Sequence, residues 1–253
     1  MRPAARTPFF EFVQFETLPS TSEEAKRRAR AGAAEGTVIV AREQSAGRGR
    51  QGRPWSSPPG NLYCSLILRP AVAPAQAAQL GFAAALAVGG ACRRFLPKGV
   101  ALAYKWPNDV LLGGGKAAGI LLESETDPRG ALAFIVVGIG VNLVSHPADT
   151  EFPATSLKSA GAARDVAASA FLEALAPGLL LWYERWRGQG FAALRQGWLD
   201  SAYGLGEAIR VRLPGEEIAG RFVGLDEDGV LLLDGPSGRR RIAAAEVFPA
   251  SAA

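Results

Sequence analysis

The chain has 253 residues, 48% of them hydrophobic and 21% charged, a balance that argues against a disordered protein. That length supports one large domain, or one domain with a small appendage. The formal charge of +4 is spread thinly, with basic clusters only at 26–30, 48–53 and 239–241, which suits anionic small molecules or acidic partner surfaces without demanding nucleic acid.

Two cysteines, Cys64 and Cys92, sit in apolar segments and read as buried free thiols of a cytoplasmic protein. The single histidine, His146, precedes Pro147 in a polar loop, which leaves almost no room for a triad or a zinc site needing several histidines. Residues 1–15 mix arginine and phenylalanine with Glu11 and Gln14 and lack the apolar centre of a signal peptide.

Phe10–Phe15 alternates apolar and polar residues and predicts a strand. Leu18–Ala25 then supplies a turn and a helix start, with a Ser or Thr cap and acidic residues in the first turn; the helix ends at Gly32. Thr37–Ala41 is a buried strand feeding the segment Gln44–Trp55. Three glycines, three arginines and a tryptophan fall within nine residues there. Glycines let the backbone approach a ligand, guanidinium groups offer forked donors to phosphate or carboxylate, and Trp55 offers a flat face for a base. The segment reads as an anion-binding loop that can close over a nucleotide, the alternative being a solvated basic loop or an RG-type nucleic-acid contact.

Leu62–Leu68 predicts another strand, and Pro74–Phe95 an Ala-rich core helix. Its apolar centre, Leu80–Cys92, is too short and glycine-rich to cross a bilayer, which needs roughly 20 residues. Tyr104–Glu123 follows, with short strands at Val110–Leu112 and Ile120–Leu122, a glycine-triplet hairpin between them, and Lys116 directly after the turn. Gly-Gly-Gly-Lys is not a P-loop, because the GxxxxGK[ST] spacing is absent and Ala117 stands where Ser or Thr is needed. Phe134–Val141 is a third apolar run, broken by Gly138 and Gly140 and closed by Asn142. Ala162–Trp186 and Phe191–Tyr203 turn helical. After Gly204, short strands at Ala208–Leu213, Glu217–Leu225, Val230–Leu233, Arg239–Ile242 and Val247-Phe248 predict a small appended β-barrel.

Taken in order, these segments resemble the biotin protein ligases, also called biotin–[acetyl-CoA-carboxylase] ligases. The matching residues are Gly47–Trp55 (GRGRQGRPW), Lys105–Asp109 (KWPND), Lys116–Ile120 (KAAGI) with Glu123, and Gly138–Leu143 (GIGVNL). Ser20-Thr21-Ser22 and Gln44 also stand where the family's biotin-binding polar residues stand, although Ser22 replaces an Asn carried by many members. The resemblance implies an α/β fold: a mixed sheet with helices on one side, similar to the catalytic core of class II aminoacyl-tRNA synthetases, over residues 1–204. An SH3-like barrel over 205–253 is implied after it.

It also implies a two-step reaction, in which biotin and ATP give biotinyl-5′-AMP and a lysine of a biotin carboxyl carrier protein or domain then takes the biotin. By this resemblance the catalytic residues are Lys116, Arg48, Arg50 and Asp109, the last orienting or deprotonating the incoming amine. Biotin is held by Ser20, Thr21, Ser22, Gln44, Gly47, Arg48, Gly49, Arg50, Lys116 and Gly119. The adenylate is held by Arg50, Arg53, Trp55, Lys105, Asn108 and Asn142, and Trp106 reads as core packing. Mg²⁺ is expected to enter through the substrate phosphates, or through Asn108 or Asp109. About 10–15 residues precede the first family-like strand, so the expectation is a monofunctional enzyme without a DNA-binding domain, binding neither DNA nor membrane. Two other readings stay open on the residues: a lipoate-type ligase of the same fold, and a non-enzymatic nucleic-acid-binding protein using the arginine loop and barrel.

Overall fold

A computed structural model describes residues 9–163 and 165–250; the reading of the first eight residues lies outside that range. β1 (Glu11–Leu18) and β2 (Thr37–Gln44) pair in parallel, because α1 (Thr21–Arg30) carries the chain back between them. Ser20 caps this helix by accepting from Glu23 N at 3.4 Å, and Glu23 and Glu24 occupy its first turn. Five antiparallel strands complete the sheet: β3 (Leu62–Leu68), β4 (Leu102–Lys105), β5 (Asp109–Leu112), β6 (Gly115–Thr126) and β7 (Leu132–Val141). Their spatial order is β1-β2-β3-β7-β6-β5-β4.

Alternation along the central strands divides the apolar residues between two faces. Val38, Leu66 and Val137 face the main core, built with α2 (Pro74–Ala77), α3 (Leu80–Arg93), α4 (Ala168–Gln189) and α5 (Ala192–Leu199). Ile39, Ile67 and Val136 face the opposite way, onto Ala25 and Ala29 of α1. Helices therefore cover both faces, which corrects the one-sided arrangement expected above. The face under α1 carries the cavity.

The Ala-rich run forms two helical segments, meeting where the buried Gln79 turns its carbonyl oxygen to accept Trp186 Nε1 at 2.9 Å. Pro74–Arg93 is long and apolar enough by composition to cross a membrane, but it is mostly buried, as a core helix is. α4 begins six residues later than the pattern suggested, at Ala168, and runs on to Gln189, where Gly190 at φ +71° stops it. β4 and most of β6 were not foreseen. The predicted hairpin is present, with Gly113 and Gly114 both at positive φ between paired Leu112 and Gly115.

The second sheet is antiparallel and SH3-like, ordered β11-β10-β9-β8-β12, from β8 (Ala208–Leu213), β9 (Glu216–Leu225), β10 (Leu231–Gly235), β11 (Gly238–Ile242) and β12 (Glu246–Pro249). Trp106, 2% exposed, ties it to the first sheet by donating Nε1–H to Gly229 O at 3.1 Å. Only glycine fits at 229, where φ is +87° and an added Cβ would lie 2.8 Å from Phe82.

Candidate active site

Cross-strand partners share a face of a sheet, and one row of partners runs across this one: Tyr63, Gly140, Gly119, Asp109 and Lys105 on β3, β7, β6, β5 and β4. A second row, two residues along, holds Ser65, Gly138 and Leu121. Gly140 and Gly119 strip the α1-side face of side chains between Tyr63 and Asp109, and Gly138 does so between Ser65 and Leu121. The hollow they leave is a cavity of about 320 Å³, reaching from Ser20–Ser22 at the start of α1 to Lys105 on the edge strand.

The indole of Trp55 lies on the bare strip. A Cβ added at Gly140 would stand 2.6 Å from Trp55 Cε2, and one at Gly119 would stand 3.0 Å from Cζ3. Lys116 Nζ sits over the same ring, 5.3 Å from its centre. Lys116 reaches the cavity through a β-bulge, the register shift between Val110 and Leu111. Ala117 and Ala118 both point into the core as a result, and Lys116 is left on the cavity side.

Asp109 is 5% exposed and lies between two ammonium groups, Lys105 Nζ at 2.8 Å and Lys116 Nζ at 2.7 Å. Burial pushes its carboxyl up, but the two lysines outweigh this and hold it below the ordinary carboxylate value. Lys105 also lies over the Phe152 ring, 4.7 Å from its centre.

At the α1 end, Thr21 N and Oγ1 both donate to Gln44 Oε1, at 2.8 and 3.1 Å, and Gln44 Nε2 donates to Ser57 Oγ at 2.9 Å. The arginine loop is folded over the cavity and anchored on the second sheet. Arg50 donates to Ala245 O at 3.3 Å, and burial pushes its guanidinium pKa down. Arg53 pairs with Glu246, and Arg48 points toward Glu23 at 3.7 Å.

All the expected site residues line this one cavity except Gly47. Gly47 is buried under the loop instead, where a Cβ would meet Ser57 Oγ at 2.5 Å and Trp55 O at 2.6 Å. The lack of a side chain there is what lets the loop fold over Ser57 and Trp55. The amides of Asn108 and Asn142 donate to backbone, to Ile120 O at 2.7 Å and Thr155 O at 3.0 Å, so each serves first to hold the strands that present Lys116 and Gly119. Sequence reasoning missed Glu151 and Phe152 and the second-sheet residues Ala245, Glu246 and Phe248, all of which line the cavity. A phenylalanine in the polar stretch 145–156 was the one local signal available; nothing local marked the others.

The residues offer Mg²⁺ no ready set of ligands. Among the described residues no three His, Cys, Asp or Glu side chains group to hold a metal, and each oxygen of Asp109 already faces a lysine. Asp109 as a direct magnesium ligand does not fit this arrangement.

A sheet hollowed by glycines, roofed by an arginine loop and carrying a buried aspartate between two lysines defines an α/β domain whose cavity can admit an anionic ligand beside Lys116. The sequence profile of the Biotin/lipoate A/B protein ligase family matches residues 14–142, and that of the Biotin protein ligase C terminal domain matches residues 204–248. The biotin–[acetyl-CoA-carboxylase] ligase of Paracoccus denitrificans is 46% identical over 216 residues, 83% of this chain and 89% of that protein. The ligase of the same name from Mycobacterium tuberculosis is 35% identical over 223 residues, 85% of this chain and 80% of its own length. The biotin protein ligase of Aquifex aeolicus, solved with biotin and ATP, superposes with a TM-score of 0.78 at 27% identity, covering 94% of this chain and 97% of that one. The chain belongs to the biotin protein ligase family.

Proposed function

We propose that this protein is an ATP-dependent ligase that attaches biotin to a lysine of a biotin carboxyl carrier protein or domain, in the cytoplasm. A biotin carboxylate oxygen attacks the α-phosphorus of ATP and pyrophosphate leaves. The carrier amine then attacks the acyl carbon of biotinyl-5′-AMP, loses a proton, and AMP departs. The observation that carries this reading is the meeting of five separated segments, from Ser20 to Asn142, around one cavity with the Lys116 ammonium inside it. The second profile match, to the biotin ligase C-terminal domain, favours biotin over lipoate.

In this reading the polar groups of Ser20, Ser22 and Gln44 receive the ureido head, and Lys116 meets the carboxylate and the charge that develops as the adenylyl group is transferred to its oxygen. Such a fixed cation costs no reorganisation as the reaction proceeds. Arg48, Arg50 and Arg53 supply the phosphate side, and Trp55 and Asn142 border the adenylate. Asp109 is a poor proton acceptor because its carboxyl is held low; its role is to hold two lysines in place and to orient the incoming amine by charge. Mg²⁺, when bound, neutralises the ATP phosphates and would arrive with them. The closed loop excludes water from an anhydride that hydrolyses readily. We assign the chemistry to residues 1–204, with 205–253 supplying the wall against which the loop closes.

The test is to incubate the purified protein with biotin, ATP and Mg²⁺ and examine it by mass spectrometry, with and without a carrier domain. Bound biotinyl-adenylate, and a carrier heavier by one biotinyl group, are expected. Failure to release pyrophosphate on adding biotin, with lipoate active in its place, would overturn the assignment of substrate.

A further inference from the structure

A chain of hydrogen bonds runs beneath the floor of the cavity. Ser22 Oγ lies 3.1 Å from Ser65 Oγ, Ser65 Oγ 2.8 Å from Thr21 Oγ1, Thr21 Oγ1 3.1 Å from Gln44 Oε1, Gln44 Nε2 2.9 Å from Ser57 Oγ, and Ser57 Oγ 2.9 Å from Trp55 O. Two backbone groups set its direction, since an amide can only donate and a carbonyl can only accept. Thr21 N donates to Gln44 Oε1, which fixes the orientation of that amide and leaves Nε2 to donate to Ser57. The Ser57 proton goes to Trp55 O.

On the other side, the Thr21 proton goes to Gln44, the Ser65 proton goes to Thr21, and Ser65 is left to accept from Ser22. All five protons therefore point the same way. Room for the first link exists because Gly138 stands opposite Ser65, where an added Cβ would lie 2.7 Å from Ser22 Oγ.

The consequence falls on the three floor residues that face a ligand. With its proton committed to Ser65, Ser22 presents lone pairs to the cavity. Gln44 presents its second N–H. Ser20, whose oxygen accepts from Glu23 N, has its own proton to give. One acceptor and two donors match a ring that carries N–H groups beside a carbonyl. Ser65 and Ser57 are buried, at 0% and 7% exposure, and neither lines the cavity.

We infer that Ser65 and Ser57 are positioning residues that fix the donor–acceptor pattern of the cavity floor, and so its preference for a cyclic urea, without touching the ligand. The inference rests on the ligase reading above and deepens it.

The experiment compares unmodified protein, Ser65→Ala, Ser57→Ala and Ser57→Thr for binding of biotin and of 2-iminobiotin, in which the urea carbonyl is replaced by an imino group. Adenylate formation is followed alongside, and thermal melts confirm folding. Each alanine variant should raise the biotin Kd and KM by roughly five- to fiftyfold, the cost of leaving a buried hydrogen-bonding group unmatched. Both should leave kcat at saturating biotin within about threefold and narrow the preference for biotin over 2-iminobiotin. Ser57→Thr, which keeps the hydroxyl, should restore that preference. Should Ser65→Ala fail to fold, Ser57→Ala at the far end of the chain decides the matter alone. Folded variants with unchanged Kd and unchanged preference, beside unmodified protein that binds biotin, would overturn the inference. Unmodified protein that does not bind biotin would overturn the ligase reading itself.

Discussion

Lys116 Nζ stands 2.7 Å from Asp109 Oδ1 because β6 carries one residue more than β5 at this point, and the bulge keeps Lys116 out of the core. A regular ladder would have sent it through the sheet to the opposite face, into the packing of α3. The bulge is thus what turns a lysine beside a hairpin into a cavity residue.

Replacing Lys116 with alanine should leave the fold intact, since its side chain is 27% exposed and Asp109 keeps Lys105 as a partner. Adenylate formation should fall by about a hundred- to a thousandfold, the usual effect of losing one preorganised charge at a reacting centre. Biotin-dependent pyrophosphate release measures it, and a folded variant with near-normal release would remove Lys116 from this role.

Asp109 predicts a pH dependence of defined sign. Its carboxyl is held below the ordinary value of 3.8, so its contribution to stability is fully present above that value and is lost as pH falls through the lower folded value. Asp109→Asn leaves two ammonium groups without their counter-charge, one of them on the nearly buried Lys105, and should cost about 3–5 kcal/mol. Denaturant melts of both proteins should give a constant difference from neutral pH down to about pH 4, shrinking only below it. A difference that already collapses between about pH 7 and 5 would contradict the ion-pair assignment.

Gly140→Ala tests the bare strip. The added methyl would start 2.6 Å from the Trp55 ring, so the indole must lift and take the loop with it. The strand should remain paired, with weaker retention of the adenylate and a red-shifted tryptophan emission. The shift should vanish when the same substitution is made in a Trp55→Phe background, which separates Trp55 from the other four tryptophans.

Arg50 connects the loop to the second sheet through Ala245 O while facing the cavity. Charge-assisted hydrogen bonds are worth about 1.5–3 kcal/mol, so Arg50→Gly should release biotinyl-adenylate roughly ten- to a hundredfold faster. Glycine also gives the loop more backbone freedom to lose on closing. The escaping anhydride should biotinylate albumin added as a bystander. Equal albumin labelling by variant and unmodified protein, with adenylate synthesis confirmed in both, would show that Arg50 does not retain the intermediate.

What was legible in the chain was local. The cap at Ser20, the turn at Gly113-Gly114 and the glycine-arginine run each rest on chemistry within a few residues, and the sequence by itself determined them. The order of the motifs from Ser20 to Asn142 likewise named the family before any coordinates. Tertiary structure decided the rest, because it depends on partners distant in the chain. It put α1 on the opposite face from α3, since β2, β3 and β7 are apolar on both faces and their pattern alone does not say which helix covers which. It turned Gly47 under the loop, where Ser57 and Trp55 leave no space for a side chain. It set Asp109 between two lysines through a register shift, and it brought Glu246 of the second sheet to Arg53 of the loop. Register and long-range docking come from the packing of complete faces, so no stretch of sequence carries them alone.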